Sequence, residues 1–214
     1  MKLQIVPFEG LNPFQENTYL VTDGARAHIF DPGFSTEQEF SSLLTALQKR
    51  NLSVEAIVLT HAHIDHIMGL ERCTGHFKVP VYMHAEGMEF IDQYPEQARM
   101  FGFMAEPIRV SPRFVEPSSA LSIGSFVYDA RYTPGHAPGH LSFYHQEGEW
   151  VLSGDALFAG SIGRTDLPGG DYPTLEQSIR QQLYTLPDHT TVWSGHGPTT
   201  TIGHEKAHNA FVRD

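Results

Sequence analysis

Apolar and polar positions first alternate along this chain and then fall into a helical spacing, and the sequence of switches outlines the fold. Residues 3–8, 17–22 and 26–31 are short runs that alternate or are rich in Val, Ile, Phe and Tyr, with Asn-Pro and Asp-Gly turn signals around them. They predict consecutive antiparallel strands. After Ser35-Thr36-Glu37 the apolar residues fall at Phe40, Leu43, Leu44 and Leu47, the one-sided spacing of an amphipathic helix. A strand over 56–59, a helical region over 65–77, a strand over 79–83 and a helix within 86–100 follow. The strand pattern then restarts at 121–123, 126–132, 141–144 and 150–152, before a helix over 174–186, a strand over 190–193 and a short helix over 203–211. Strands and then helices, twice over, predict two sheets packed together with helices outside: an α+β, four-layer αββα sandwich built from two similar halves.

Composition narrows the functional classes. With 214 residues, 40% hydrophobic and 18% charged, and no linker or low-complexity run, the chain reads as one domain over 1–214 with a core of its own. The formal charge of −11 opposes a nucleic-acid partner, and no run approaches the ~20 apolar residues of a membrane span. The lone Cys73 cannot form an internal disulfide, in keeping with a cytoplasmic location, and it is expected to pack as a small hydrophobe. The thirteen histidines change the picture most, because imidazole is the commonest metal ligand.

Three of them cluster in Thr60-His61-Ala62-His63-Ile64-Asp65-His66, directly after the apolar run 56–59. A turn at the end of a buried strand can fan such neighbours toward adjacent points, as a straight strand cannot. The setting recurs: His136 in Thr133-Pro134-Gly135-His136-Ala137-Pro138-Gly139-His140, Asp155 in Ser153-Gly154-Asp155, and His196 in Ser194-Gly195-His196-Gly197-Pro198 each follow a predicted strand beside a glycine. One ligand set drawn from these loops holds five His and two Asp, enough for two metal ions bridged by a carboxylate.

These motifs resemble those of the metallo-β-lactamase fold hydrolases. HAHIDH matches the family's metal motif, and TPGHAPGH, SGDALF and SGHGP resemble its later ligand loops in the same order. The resemblance implies that His61, His63 and His136 bind one metal, that Asp65, His66 and His196 bind a second, and that Asp155 bridges them. Asp at 155 and His at 63 resemble the glyoxalase II group more than β-lactamases with Cys at the first position or flavodiiron proteins with Glu at the second. Gly163-Arg164-Thr165-Asp166 resembles a segment shared by glyoxalase II-like proteins and persulfide dioxygenases. Longer glyoxalase II enzymes hold glutathione with a helical segment after the last metal ligand. Eighteen residues follow His196, so weak saturation by S-lactoylglutathione is expected.

The implied activity is a cytoplasmic metal-dependent hydrolase of hydroxyacyl-glutathione-like or related small thioesters, with a mononuclear iron persulfide dioxygenase as the alternative. Two divalent ions are the implied cofactors, zinc first, with iron or manganese also suited to N/O ligands. Metal can lower the pKa of bound water to about 7, so a metal-bridging hydroxide would attack the carbonyl, with Asp65 and Asp155 as the carboxylates around it. A small-molecule substrate is the expected partner, and a homo-oligomer is compatible with the chain. Asp31 is a candidate to orient a ligating His, His140 a neighbour of the ligands, and Arg164 either an anchor for a substrate carboxylate or the partner of Asp166 or Asp171. His204-Glu205-Lys206-Ala207-His208 also spells HExxH, the zinc-protease signature, but on a short polar helix that offers no cleft. The run holding Met83, Met88, Phe90, Met100, Phe101, Phe103 and Met104 is expected to pack as core, or else to wall the metal site.

Overall fold

Alternation along the strands decides which face of each sheet meets the other. The computed structural model describes residues 3–117 and 119–213. The first sheet holds β1 (Gln4–Leu11), β2 (Glu16–Thr22), β3 (Arg26–Phe30), β4 (Ser53–Val58), β5 (Val81–Met83) and β6 (Arg113–Phe114), in that spatial order, antiparallel as far as β3 and parallel beyond it. Later strands are β7 (Ser119–Ile123), β8 (Phe126–Tyr132), β9 (Leu141–His145), β10 (Trp150–Gly154), the small hairpin β11 (Leu157–Phe158) and β12 (Ser161–Ile162), β13 (Thr191–Ser194) and β14 (Thr200–Thr201). The second sheet runs β14-β13-β10-β9-β8-β7, with only β10 and β13 parallel.

Successive side chains on a strand point to opposite faces, and in β2, β3, β9 and β10 both faces are buried. Tyr19, Val21, Phe30, Ala56 and Val58 point inward from the first sheet and meet Tyr128, Phe143, Trp150 and Leu152 of the second. Their neighbours Leu20, Ile29, Ile57 and Leu59 point outward onto α1 (Glu37–Arg50) through Phe40, Leu43 and Leu47. On the far side Tyr144, Val151 and Val192 pack against Leu175, Ile179 and Leu183. Those three lie on α6 (Tyr172–Ser178) and the π turn Ile179–Leu183 that continues it. The layers are therefore helix, sheet, sheet, helix, as expected.

Helix α1 begins where the pattern predicts, closed by a capping box in which Thr36 accepts from Glu39 N and Glu39 reaches back to Thr36 N. The expected helix over 65–77 instead divides into α2 (Ile64–Ile67) and α3 (Leu70–Phe77). Gly69 N donates to Pro32 O at 2.8 Å, and a Cβ there would stand 2.9 Å from that oxygen, so the chain turns where another segment's backbone lies against it. The expected helix within 86–100 divides into α4 (Met88–Asp92) and α5 (Tyr94–Met100), because Pro95 has no N–H to continue the ladder. Strands β6, β11, β12 and β14 are two residues each, too short to show a period, and the terminal helix α7 spans Ile202–His208. No helix among the described residues is long and apolar enough to cross a membrane.

One polar group sits between the sheets. His28 is fully buried, stacked 3.9 Å from the Phe126 ring, with Nδ1 2.9 Å from the Tyr128 hydroxyl. Burial pushes its pKa down to about 4, against Asp23, which favours the cation. The folded state therefore binds fewer protons at His28 than the unfolded state, and stability is expected to fall as pH drops from about 6.5 toward 4. Urea midpoints across that range, with His28→Gln flattening the slope, measure the effect.

Candidate active site

Five strand ends deliver the predicted residues to one edge of the sandwich. Asp31 follows β3, residues 61–66 follow β4, His136 and His140 lie in the β8–β9 loop, Asp155 follows β10, and His196 follows β13. His61, His63 and His136 form one cluster and Asp65, His66 and His196 another, the ligand atoms of each lying within 4.8 Å of one another. Asp155 stands between the clusters. Its Oδ2 is 3.5 Å from His136 Nε2 and 3.3 Å from His196 Nε2, and its Oδ1 is 3.3 Å from His66 Nε2. Gly195 makes this approach feasible, because a Cβ there would lie 2.0 Å from Asp155 Oδ1.

Hydrogen bonds outside the clusters set which nitrogen of His61, His66, His136 and His196 faces inward. Asp31 accepts from Thr60 N at 2.7 Å and from Thr60 Oγ1 at 2.6 Å, and its Oδ2 lies 3.1 Å from His66 Nδ1. The Thr60 proton is thereby committed to Asp31, so Thr60 Oγ1 accepts from His61 Nδ1 at 3.0 Å. His136 Nδ1 donates to Arg164 O at 2.8 Å and His196 Nδ1 to Gln15 O at 3.2 Å. What remains inside is a set of buried atoms without a hydrogen-bond partner, His61 Nε2, His66 Nε2 and Asp155 Oδ1, while His63 meets the cluster through Nδ1, 2.8 Å from His136 Nε2. Converging, orphaned lone pairs of this kind fit a metal centre, since each left unmet costs roughly 1–3 kcal/mol.

The electrostatics divide with the clusters. Burial, followed by the neighbouring imidazoles, pushes His61 well below the usual histidine range, and His63 down to about 3. Burial likewise lowers His136, so these three rings present neutral nitrogens. In the other cluster burial opposes charge on His196, yet Asp155 and Asp65 push it up to about 10. Burial also opposes charge on His66, which the same carboxylates raise, while His66 and His196 hold both aspartates low against their own burial.

His140 lies beside the clusters and supplies no free nitrogen. Its Nε2 accepts from Asp155 N at 3.0 Å and its Nδ1 meets Thr133 Oγ1 at 2.8 Å, so it fixes the backbone that carries Asp155. Arg164 is exposed and paired fork to fork with Asp166 at 2.7 and 2.8 Å, while Asp171 instead caps α6. The HExxH segment forms no site. His204 and His208 are exposed, whereas Glu205 is buried and accepts from Gly160 N, Thr200 Oγ1 and Asn209 Nδ2, tying α7 to the β11–β12 turn. Cys73 packs in the core, where burial pushes its thiol up to about 12.

Sequence reasoning missed the support beneath the second cluster. Glu16 is fully buried and held above the usual carboxylate range by burial, with Asp31 and Asp65 adding to the effect. Asn12 donates to Asp65 O, and Asn17 donates to Ser194 O and Gly197 O on either side of His196. The available signal was a polar run, 15–18, opening a strand that is otherwise dry.

The metallo-beta-lactamase superfamily model matches residues 11–196. The chain belongs to that superfamily. It is 36% identical over 215 residues to hydroxyacylglutathione hydrolase GloC of Haemophilus influenzae, across 99% of this chain and 98% of the relative. Among solved structures it resembles the BLEG-1 B3 metallo-beta-lactamase, with TM-score 0.87 and 38% identity over 99% of this chain and 100% of that one. It also resembles TTHA1623 in a di-iron-bound form, with TM-score 0.86 and 39% identity over 97% of this chain and 100% of that one.

A cleft of about 540 Å³ opens over this superfamily site, reaching His63, Asp65, His136, Asp155 and His196. Most of the Met- and Phe-rich run divides between the two roles foreseen for it: Met83 is buried core with Met88 and Phe103 packed against it, and Phe90, Met100 and Phe101 line the cleft, whereas Met104, 94% exposed, does neither.

Asp31→Asn should lower metal affinity about 10- to 100-fold by loosening the hold on His66, read by competition with a chromogenic chelator. His204→Ala and His208→Ala should leave the metal content unchanged in the same assay.

Proposed function

We propose that the chain is a binuclear metal-dependent thioester hydrolase that converts a thioester and water into a carboxylic acid and a thiol. The observation carrying this reading is Asp155, a carboxylate within 3.5 Å of imidazoles from both clusters. His61, His63 and His136 would hold one ion, Asp65, His66 and His196 the other, with Asp155 shared. Two bound divalent ions would supply a water acidic enough to act as nucleophile near neutral pH and a Lewis-acid contact for the carbonyl oxygen. The nitrogen-and-oxygen donor set takes zinc first by affinity order, with iron or manganese also accommodated.

The chain's own residues do the rest. Asp31, Thr60 and the Arg164 carbonyl hold three imidazoles in the tautomer that turns Nε2 inward. Asp65 faces both the second cluster and the cleft, and so is the carboxylate placed to take the proton that the attacking water gives up. A complete second cluster favours this reading over a mononuclear dioxygenase, which needs only two His and one carboxylate.

Protein purified without added metal is expected to carry about two divalent ions per chain, counted by mass spectrometry. His136→Ala and Asp155→Ala should each lose metal and lower thioester kcat/KM roughly 100-fold or more. Oxygen consumption with glutathione persulfide and one iron per chain, or turnover of nitrocefin without turnover of any thioester, would overturn the proposal.

A further inference from the structure

The reaction class leaves the bulk of the substrate open, and the cleft constrains it. One wall carries Phe14, Phe90 and Phe101, and the other Phe158, Ile162 and Leu167. These groups reach the reacting centre itself: Phe90 stands edge-on to His63 at 5.3 Å, and Phe158 edge-on to His196 at 5.9 Å. Phe101 is held at 5.0 Å by an edge contact from Phe14, although 41% of it faces solvent. An aromatic ring fixed in a half-open position above a metal site offers apolar contact to whatever enters.

The charges along the cleft point the same way. Apart from the site histidines, Arg164 is the cation lining it among the described residues, and both forks of its guanidinium pair are committed to Asp166. Glu89 and Glu96 stand on the opposite rim, and the chain as a whole carries a formal charge of −11. Glutathione brings two carboxylates and one ammonium. Its carboxylates would find only the Nη1 edge of an Arg164 whose charge Asp166 already balances, or lie beside glutamates, and its peptide groups would face phenyl rings.

Resting on the thioesterase reading, we propose that this cleft selects thioesters whose bulk is uncharged and apolar, an aliphatic or aromatic group on the acyl or the sulfur side, over carriers that bring carboxylates. Specificity then lies in Phe14, Phe90 and Phe101 against Phe158, Ile162 and Leu167, and Arg164 serves as a rim residue whose carbonyl orients His136.

Inert thioethers test this apart from turnover. Calorimetry on the zinc-loaded protein would compare S-methyl to S-hexyl N-acetylcysteamine with the same alkyl series on glutathione. Affinity is expected to rise about fourfold per methylene until the cleft is filled, with the neutral series at least about tenfold tighter than its glutathione counterpart at equal chain length. Phe101→Ala should flatten the dependence on chain length, a ratio within one variant that partial loss of folded protein does not change. A flat series, or tighter binding of the glutathione thioethers, would overturn the proposal. If the neutral thioethers bind as expected but none of the matching thioesters is hydrolysed, the apolar cleft stands and the thioesterase reading falls.

Discussion

The interaction on which the site depends is the one its innermost atoms lack. His61 Nε2, His66 Nε2 and Asp155 Oδ1 are buried with no hydrogen-bond partner. Left to itself such a group would turn outward or capture water. His61, His66, His136 and His196 are each prevented from turning by a bond on the other side of the ring, and most of those bonds come from parts of the chain far apart in sequence, such as Asp31 for His66 and Gln15 for His196. The sandwich can be understood as the device that makes these bonds simultaneous. Two sheets whose inner strands are buried on both faces are stiff enough to hold five strand ends in register, and stiffness at the strand ends is what an array of unpaired lone pairs requires.

Asp31 shows how local strain enters this arrangement. Its φ of 49° is left-handed, which an aspartate tolerates better than most side chains. From that position one carboxylate reaches Thr60 N, Thr60 Oγ1 and His66 Nδ1 together. The adjoining Gly33 lies so close to Glu16 that a Cβ would stand 1.9 Å from its carboxylate. The turn 31–33 is therefore fixed from the strand side by Thr18, which donates to Asp31 O, and from the helix side by Gly69, which donates to Pro32 O.

Much of this was legible in the sequence. Strand alternation and the α1 stripe give the four layers, and the ligand loops announce themselves because each places His or Asp beside a turn after an apolar run. The breaks at Gly69 and Pro95 were less legible: a helical period can continue through a point where tertiary contact or a missing N–H stops the helix. Glu16, Asn12 and Asn17 were silent for another reason. Their roles depend on which segments lie beside them in space, and a polar residue at a strand's start has the same signature whether it meets water or the back of a metal cluster.

The apolar wall was ambiguous in sequence for a related physical cause, and the ambiguity explains how a shared site can serve different substrates. Phe90 lies in α4, Met100 ends α5 and Phe101 follows it, and an apolar residue in or beside a short helix reads the same in sequence whether it meets a core or a cleft. Here the helical run breaks ahead of Pro95 into α4 and α5, and Phe90, Met100 and Phe101 overhang the cleft at the strand ends. The ligands sit on rigid strand ends, where displacement would break several hydrogen bonds at once. The wall sits on two short helices, where exchanging a phenyl ring for a smaller or charged side chain disturbs little of the core. Chemistry and selectivity are thus carried by elements of unequal stiffness, and substitutions on α4 and α5 can redirect the pocket while the seven inward-facing side chains stay as they are.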